Sequence, residues 1–368
     1  MNQFFILLIL ISLTACAYSQ QVEFVNAGGV YSIGTQSNRT ASITLCDMDQ
    51  DGDLDALVAN GRHWAEQNYL FYNDGRGAFK EAYPIGRRLK ASYAMRGADF
   101  NNDGIMDIVV ANDRIGNEIY LGQSDGTYTE GYFIGTKSPS RSVEIADLDQ
   151  EGDIDVVFSN RNSLNEILLN DGNGQFESTI HFGTETDQTI HTKIIDINGD
   201  KHLDLITAER NTSNKIYIND GNMKFSDIHE FGDAADVTRS IDIADMNRDG
   251  YLDIVCGNLQ APNNIYYGSA SLEFTDHYSF EANRKTRTIR IADLNMDGYL
   301  DIISGNSDDR NYVYLGSEHG EYEEIGLRDD LEETTYNVTS GDINSDGLPD
   351  IVISNSESWN LYYLTRMK

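Results

Sequence analysis

Proline, cysteine and basic residues are all scarce in this chain of 368 residues. Four prolines leave no proline-rich linker between domains, and three cysteines are too few for a disulfide framework. Cys46 and Cys256 lie in different predicted strands, so we expect two buried free thiols. Only 27 basic residues stand against 60 acidic ones, which gives a formal net charge of -33. Nucleic acid and anionic membrane would repel such a chain, and we expect neither as a partner.

Long apolar runs are also missing after the first twenty residues, so we expect no transmembrane segment. The run Phe4–Leu13 has the length of a signal-peptide core, and it predicts a signal peptide over residues 1–19. Within it, Leu13-Thr14-Ala15-Cys16 resembles a bacterial lipobox, in which Cys16 would carry a lipid anchor. Cleavage a few residues later would instead release the protein. Both routes stay open, and both predict a secreted or cell-surface location.

An acidic repeat dominates the rest of the sequence. A nonapeptide close to Asp-x-Asp/Asn-x-Asp-Gly-x-x-Asp occurs seven times, at intervals of 48 to 52 residues. Its first residues are Asp47, Asp99, Asp147, Asp196, Asp245, Asp293 and Asp342. The blades of a β-propeller repeat about every 40–50 residues, so the interval fits one blade per repeat.

Each repeat except the last contains four short segments of strand composition. Val143–Ala146 precedes an acidic loop, Ile108–Ala111 follows one, and Gly-rich turns separate the third segment from the fourth. Short segments rich in Val, Ile and Tyr, bounded by Gly, Asn and Asp, are typical of strands. We therefore predict an all-β fold: one seven-bladed β-propeller with four-stranded blades over residues 21–368.

The last repeat explains how the ring closes. It ends after its third strand, Leu361–Leu364, and so lacks a fourth. Val22-Glu23-Phe24, just after the signal peptide, has the composition of a fourth strand. We predict that residues 21–34 complete the seventh blade, which would remove the open edge of the ring.

The acidic loop offers the ligands of a calcium ion. Positions 1, 3, 5 and 9 carry side-chain oxygens, and position 7 offers a carbonyl. Ca²⁺ takes 6–8 oxygens in a flexible cage, whereas Mg²⁺ demands an octahedron and Zn²⁺ prefers Cys or His. Seven acidic turns without an ion are the alternative, but their convergent carboxylates would repel one another. The sequence therefore predicts up to seven calcium sites.

The predicted ligands follow the loop frame in all seven repeats. They are Asp47, Asp49, Asp51, Asp53 and Asp55; Asp99, Asn101, Asp103, Ile105 and Asp107; Asp147, Asp149, Glu151, Asp153 and Asp155; Asp196, Asn198, Asp200, His202 and Asp204; Asp245, Asn247, Asp249, Tyr251 and Asp253; Asp293, Asn295, Asp297, Tyr299 and Asp301; Asp342, Asn344, Asp346, Leu348 and Asp350. In the fourth loop Lys201 replaces glycine, at a cost of roughly 1–2 kcal/mol if the geometry is kept. We expect the site at Asp196 to be the weakest or empty. Glu151 has a longer arm that would distort the third site.

These repeats resemble the FG-GAP/VCBS repeats of integrin alpha-subunit propellers and of bacterial secreted proteins. The resemblance covers nearly all of residues 21–368. It implies that calcium lies in the loops joining strands 1 and 2, on the bottom face of the propeller. It also implies that ligands bind on the opposite face.

Much of the scarce basic charge falls in segments expected on that opposite face. These are Arg62, Arg114, Arg161, Arg210 and Arg310 between strands 2 and 3, Arg87, Arg88, Lys90, Lys137, Arg284 and Lys285 between blades, and Arg141, Arg239 and Arg287 near the start of the innermost strand. Trp64 and Trp359 fall in the first and last repeats, as an exposed pair or with one ring buried at the seam. The pattern favours an acidic partner, either an extracellular protein or an acidic glycan.

A second set of charges lies three residues before each acidic loop. Its members are Thr44, Arg96, Glu144, Lys193, Asp242, Arg290 and Thr339, five of which alternate in sign. On adjacent inner strands they would pair across blades and fix the blade order. We interpret this ring as architecture.

Catalytic motifs are missing from the sequence. It has no Gly-x-Ser-x-Gly turn, no His-Glu-x-x-His and no phosphate-binding loop. The seven histidines share no position in the repeat, and His63, in a short insertion, is the strongest single candidate for chemistry. We expect a non-enzymatic protein of adhesion or recognition. The alternative is a carbohydrate-active enzyme (a polysaccharide lyase or hydrolase) or its binding module.

Overall fold

The computed structural model describes residues 21–27, 31–79, 81–281, 284–327 and 334–368. The predicted signal peptide and Cys16 lie outside these ranges. Within them the chain forms seven antiparallel sheets arranged as the blades of a propeller. The predicted all-β, seven-bladed fold is confirmed. None of the helical residues described forms a stretch long and apolar enough for a bilayer.

The first four blades run in chain order after two N-terminal strands. The N-terminal strands are β1 (Val22–Val25) and β2 (Ser32–Ile33); blade 1 has β3 (Thr40–Cys46), β4 (Asp55–Asn60), β5 (Glu66–Tyr72) and β6 (Glu81–Lys90); blade 2 has β7 (Ser92–Ala98), β8 (Asp107–Asn112), β9 (Asn117–Tyr120) and β10 (Tyr132–Ile134); blade 3 has β11 (Ser140–Ala146), β12 (Asp155–Asn160), β13 (Asn165–Leu169) and β14 (Ser178–Phe182); blade 4 has β15 (Thr189–Ile195), β16 (Asp204–Glu209), β17 (Asn214–Ile218) and β18 (Asp227–Phe231).

The last three blades follow after a short 3-10 helix, Ala234–Asp236. Blade 5 has β19 (Thr238–Ala244), β20 (Asp253–Asn258), β21 (Asn263–Tyr266) and β22 (His277–Phe280); blade 6 has β23 (Thr286–Ala292), β24 (Asp301–Asn306), β25 (Tyr312–Leu315) and β26 (Glu323–Gly326); blade 7 has β27 (Thr334–Gly341), β28 (Asp350–Ser356) and β29 (Asn360–Met367).

Blade 7 is completed by the N-terminus. Strands β1 and β2 both pair with β29, and β27 contacts β3 of blade 1. The predicted closure is confirmed. It protects the edge of β29 and ties the two ends of the chain together.

The core lies between neighbouring blades. The second strand of each blade is buried along its length, except for Ser356 at the end of β28, because both of its faces pack against another sheet. Val109 of β8 and Phe158 of β12 share one cluster, and Ile206 of β16 and Cys256 of β20 share another. Cys46 and Cys256 both have free thiols. Cys256 is buried as predicted, whereas Cys46 is only partly buried because it lies near the exposed end of β3.

A repeated asparagine joins each blade to the next. It stands at the start of the third strand, and its Oδ1 accepts from the last backbone N–H of the second strand. In six blades its Nδ2 donates to a Ser or Thr hydroxyl at the start of the next blade. The bond from Asn360 to Thr40 (3.1 Å) closes the circle. These bonds are buried and therefore set blade spacing.

Candidate calcium loops and channel mouth

All seven acidic loops lie at one end of the ring. Each connects the first strand of a blade to the second, so the loops share a face. The first strands are seven or eight residues long, which separates this face from the opposite one by about 20–25 Å. We call the first the loop face and the second the mouth face.

The first aspartate of each loop shapes its turn. In loop one, Asp47 Oδ1 accepts from the backbone N–H of Asp51 and Oδ2 from that of Gly52, both at 3.1 Å. Gly52 has a φ of +98°, a conformation that favours glycine. Equivalent bonds to the sixth position recur in all the loops, so the chain folds back on itself as the sequence predicts.

The ninth-position aspartate is buried and accepts hydrogen bonds from two backbone N–H groups. In loop three, Asp155 accepts from the N–H of Leu148 (3.0 Å) with one oxygen and from that of Asn170 (2.8 Å) with the other. Burial raises the pKa of Asp155 to about 6, although both hydrogen bonds lower it. Sequence reasoning assigned this residue to the metal and missed its bonds to the backbone.

Loops one and three bring carboxylates closest together. In the described part of the chain, two acidic groups have ligand atoms within 4.8 Å of one another: Asp47, Asp49 and Asp51, and Asp147, Asp149 and Asp155. These two loops have Asp at position 3, where the other five have Asn. The Asn amide donates to the position-5 carboxylate, as from Asn344 Nδ2 to Asp346 (3.0 Å). An aspartate at position 3 has no N–H to donate. The position-5 carboxylate therefore loses this hydrogen bond, and a second negative charge lies beside it.

A divalent cation fits this donor set. Asp147 Oδ1 is buried and has no hydrogen-bond partner among the described residues. Burial, followed by repulsion from Asp51, raises the pKa of Asp49. A cation would offset both effects, and the all-oxygen ligands suit Ca²⁺. Asp47, Asp49 and Asp51 would hold an ion in loop one, and Asp147, Asp149 and Asp155 would hold one in loop three.

The fourth loop keeps its shape despite Lys201. The residue has a φ of +76°, and its N–H donates to Asp196 Oδ2 (2.8 Å), as glycine does elsewhere. The strain expected from the sequence is therefore present in the backbone. Glu151 of loop three lies outside the carboxylate group, and Asp155 takes part instead. The Glu151 side chain is therefore not part of the carboxylate group formed by Asp147, Asp149 and Asp155.

Replacing Lys201 with Gly is expected to stabilise the protein by about 0.5–1 kcal/mol, because a left-handed lysine costs more than the added freedom of glycine. Urea-induced unfolding measures the change. Lys224→Gly is the matched control: that residue is exposed and is not among the positive-φ residues, so its replacement should be neutral or destabilising. Equal effects of the two changes would contradict the assignment of strain to Lys201.

The predicted ring of charges lies in the central channel. Arg96 Nη2 contacts Glu144 Oε1 at 2.5 Å, and Lys193 Nζ contacts Asp242 Oδ1 at 2.8 Å. His191 also reaches Glu144, at 3.5 Å. Burial would raise the pKa of Glu144, but Arg96, the hydrogen bond to His191 and the charge of Lys193 together outweigh burial and hold the pKa well below its usual range. Pairing across blades is confirmed.

A second ring lies at the mouth of the channel; the sequence predicted three of its members, Arg141, Arg239 and Arg287, on this face but not the ring itself. The first strand of every blade has a β-bulge near its start. The residues within these bulges are Ala41, Tyr93, Arg141, Ile190, Arg239, Arg287 and Tyr336, and all of them line the channel. A bulge redirects one side chain, which brings these residues to the face used by Glu144. A bulge leaves no clear sequence signal.

Some of the outer basic residues are already paired. Arg87, Arg88 and Lys90 belong to strand β6 instead of a loop, and Lys90 pairs with Glu118. Arg284 contacts Glu281 (3.3 Å) and Glu324 (3.0 Å). Among the described residues, the arginines that have buried nitrogen atoms without a hydrogen-bond partner lie in the channel and at its mouth.

The tryptophans lie on the mouth-face rim. Trp64 is 65% exposed and Trp359 is 45% exposed, so neither is buried at the seam. Arg39 stands over the Trp64 ring (5.6 Å) and pairs with Glu357, two residues before Trp359. Of the two alternatives, an exposed pair or one ring buried at the seam, the structure supports the exposed pair.

A family model and solved structures place the chain among known proteins. The family model described as FG-GAP-like repeat matches residues 47–110, 99–158, 147–207, 196–256, 245–304 and 293–353. Two similar solved structures are crystals of BBS1N in complex with ARL6DN. The mercury-soaked crystal is 11% identical with a TM-score of 0.62, covering 92% of this chain and 97% of that chain. The lead-soaked crystal is 12% identical with a TM-score of 0.62, covering 91% and 94%. At 11–12% sequence identity, these structures are similar to this chain in fold alone. No curated protein matches.

Proposed function

Because this chain belongs to the FG-GAP-like repeat family, we propose that it is an extracellular calcium-binding β-propeller that recognises a protein or an acidic glycan. The observation that carries the proposal is the division of charge between the faces. Carboxylates cluster on the loop face, and guanidinium groups that outnumber their acidic partners gather at the channel mouth. The predicted signal peptide is the reason for placing the protein outside the cell.

Calcium has a structural role in this proposal. The loops join strands that form the wall of the channel, so an ion would fix the ends of those strands. Partner binding would occur about 20 Å away on the mouth face. Chelation is therefore expected to weaken binding indirectly, through the fold, and not by removing a ligand from the interface.

A glycan array probed with the purified protein tests the function. We expect binding to acidic glycans that is retained in calcium and reduced by chelator, together with little binding to neutral glycans. Circular dichroism in both buffers shows whether the protein is folded. A silent array with folded protein would contradict glycan recognition and direct the search to a protein partner.

A specific contact favours an enzyme as the second candidate. His63 Nδ1 lies 3.0 Å from Asp113 Oδ2, and the Tyr93 hydroxyl lies 3.1 Å from His63 Nε2. Arg141, whose guanidinium lies over the Tyr93 ring (4.2 Å), would neutralise a uronate carboxylate beside these groups. Unsaturated products appearing from a polyuronate, and lost in His63→Ala, would favour a lyase over a binding protein.

A further inference from the structure

The channel mouth concentrates arginines around two tyrosines. Arg62 and Arg287 stand over the Tyr336 ring at 3.9 and 4.4 Å, and Arg141 stands over Tyr93 at 4.2 Å. Arg161, Arg210 and Arg239 complete a group of six, which we call the mouth arginines. Arg161 interacts electrostatically with Arg141 and Arg210, and Arg239 with Arg287 and Arg210. The six charges therefore form one connected group.

Several of these guanidinium groups have buried N–H donors that contact no acceptor among the described residues. Arg141 is buried, with a side chain only 3% exposed, and its Nε and Nη2 have no hydrogen-bond partner among the described residues. The same holds for the Nε atoms of Arg62, Arg210 and Arg239. Buried donors without acceptors are costly, and charged ones more so. An acceptor brought by a ligand would therefore find these donors available.

Nearby acids compensate only part of the positive charge. Asp113 pairs with Arg141 at 3.1 Å, and Asp308 interacts more weakly with Arg287. Burial, followed by repulsion from Arg287, lowers the pKa of Arg239 to about 10. Like charges held together in a buried site destabilise a free protein, so the arrangement favours an anion.

We propose that the mouth arginines bind an oxyanion that carries more than one negative charge, such as a sulfate or phosphate group or adjacent carboxylates of a ligand. Guanidinium forks suit oxyanions, because parallel N–H donors match their oxygens. The channel behind the mouth has a volume of about 320 Å³, enough for such a group to enter. This proposal shares one premise with the proposed function, namely that binding occurs on the mouth face.

Calorimetric titration of the full-length purified protein tests the site. The probes are inorganic sulfate, inorganic phosphate, a heparin tetrasaccharide and a trigalacturonate, with chitotriose as the neutral control. Inorganic ions test the oxyanion chemistry alone, and the oligosaccharides tell a sulfate-bearing source from a carboxylate-bearing one. We expect the charged probes to bind and chitotriose not to bind. No binding by any charged probe would overturn the proposal.

Arginine variants tie binding to the mouth. Arg239→Gln and Arg141→Gln should each weaken binding about tenfold or more, since a charge-assisted bond is lost. Arg310→Gln is the matched control: this exposed residue also follows a second strand but lies outside the mouth arginines. Wild-type affinity in Arg239→Gln, or an equal loss in Arg310→Gln, would overturn the assignment.

Stability separates a binding site from a structural one. Because Arg239→Gln relieves repulsion in the free protein, its melting temperature should rise by roughly 2 °C. A fall would mean that Arg239 holds the fold together, which contradicts the proposal. A silent array with oxyanion binding at the mouth would reject the proposed function alone. Array binding that survives Arg239→Gln would reject this site alone.

Discussion

Replacing Glu144 with Lys is expected to destabilise the protein by about 3–5 kcal/mol. Glu144 lies in the channel with a side chain only 18% exposed, against Arg96 (2.5 Å) and His191 (3.5 Å). The lysine would face these groups and Lys193 as one more like charge. Urea unfolding followed by circular dichroism measures the loss.

Two variants make the Glu144 result specific. Glu144→Gln removes the charge without reversing it and should have an intermediate effect. Glu177→Lys makes the same charge change at an exposed position and should be nearly neutral. If Glu144→Lys and Glu177→Lys unfolded at the same urea concentration, the charge ring would have no structural role.

The Glu144 contribution should also depend on pH in one direction. Because the folded pKa is lowered, the ionised form is stabilised by folding, and the contribution is complete above the unfolded pKa. It is lost as the pH falls below the ordinary value of 4.5. The stability difference between wild type and Glu144→Gln should therefore shrink in acid.

Removing calcium is expected to lower the melting temperature of the protein by many degrees. An ion present at 100 times its dissociation constant stabilises the folded state by about 2.7 kcal/mol, and several sites contribute. Without the ion, the carboxylates of Asp47, Asp49 and Asp51 repel one another. Differential scanning calorimetry in millimolar calcium and in chelator measures the change.

A conservative variant identifies the loops responsible. Asp49→Asn with Asp149→Asn gives loops one and three the residue that the other five loops carry at position 3. We expect this variant to fold but to gain less stability from calcium than wild type does. Magnesium should substitute poorly, because it demands stricter geometry. A melting temperature independent of calcium in the wild type would contradict bound calcium in these loops.

The fold could be predicted well from the sequence because the repeat occurs seven times, so a pattern seen in one blade could be checked in the others. One acidic loop is weak evidence, but Asp47 and its six equivalents recur in register. The closure by Val22–Val25 followed from a missing fourth strand, and the Arg96–Glu144 pair from the alternation of charge. Each of these features has a period or a count that can be read along the chain.

The channel mouth was predicted only in part: the position of Arg141, Arg239 and Arg287 near the start of the first strand was read from the sequence, but their direction into the channel was not. Its members stand where β-bulges insert a residue, and simple alternation directs such a residue away from the channel. Arg141 and Glu144 would therefore be expected on opposite faces, yet both line the channel. Similarly, Asp155 looks like a metal ligand by position, while its hydrogen bonds to Leu148 and Asn170 depend on the folded turn.

Anomalous diffraction from crystals grown in calcium would test the central claim most directly. The claim predicts anomalous peaks in the acidic loops, strongest beside Asp47, Asp49 and Asp51 and weakest or missing at Asp196. Fully occupied calcium at Asp196 would contradict the ranking of the sites. Absence of any peak in the loops that begin at Asp47 and Asp147 would contradict the calcium-binding propeller itself.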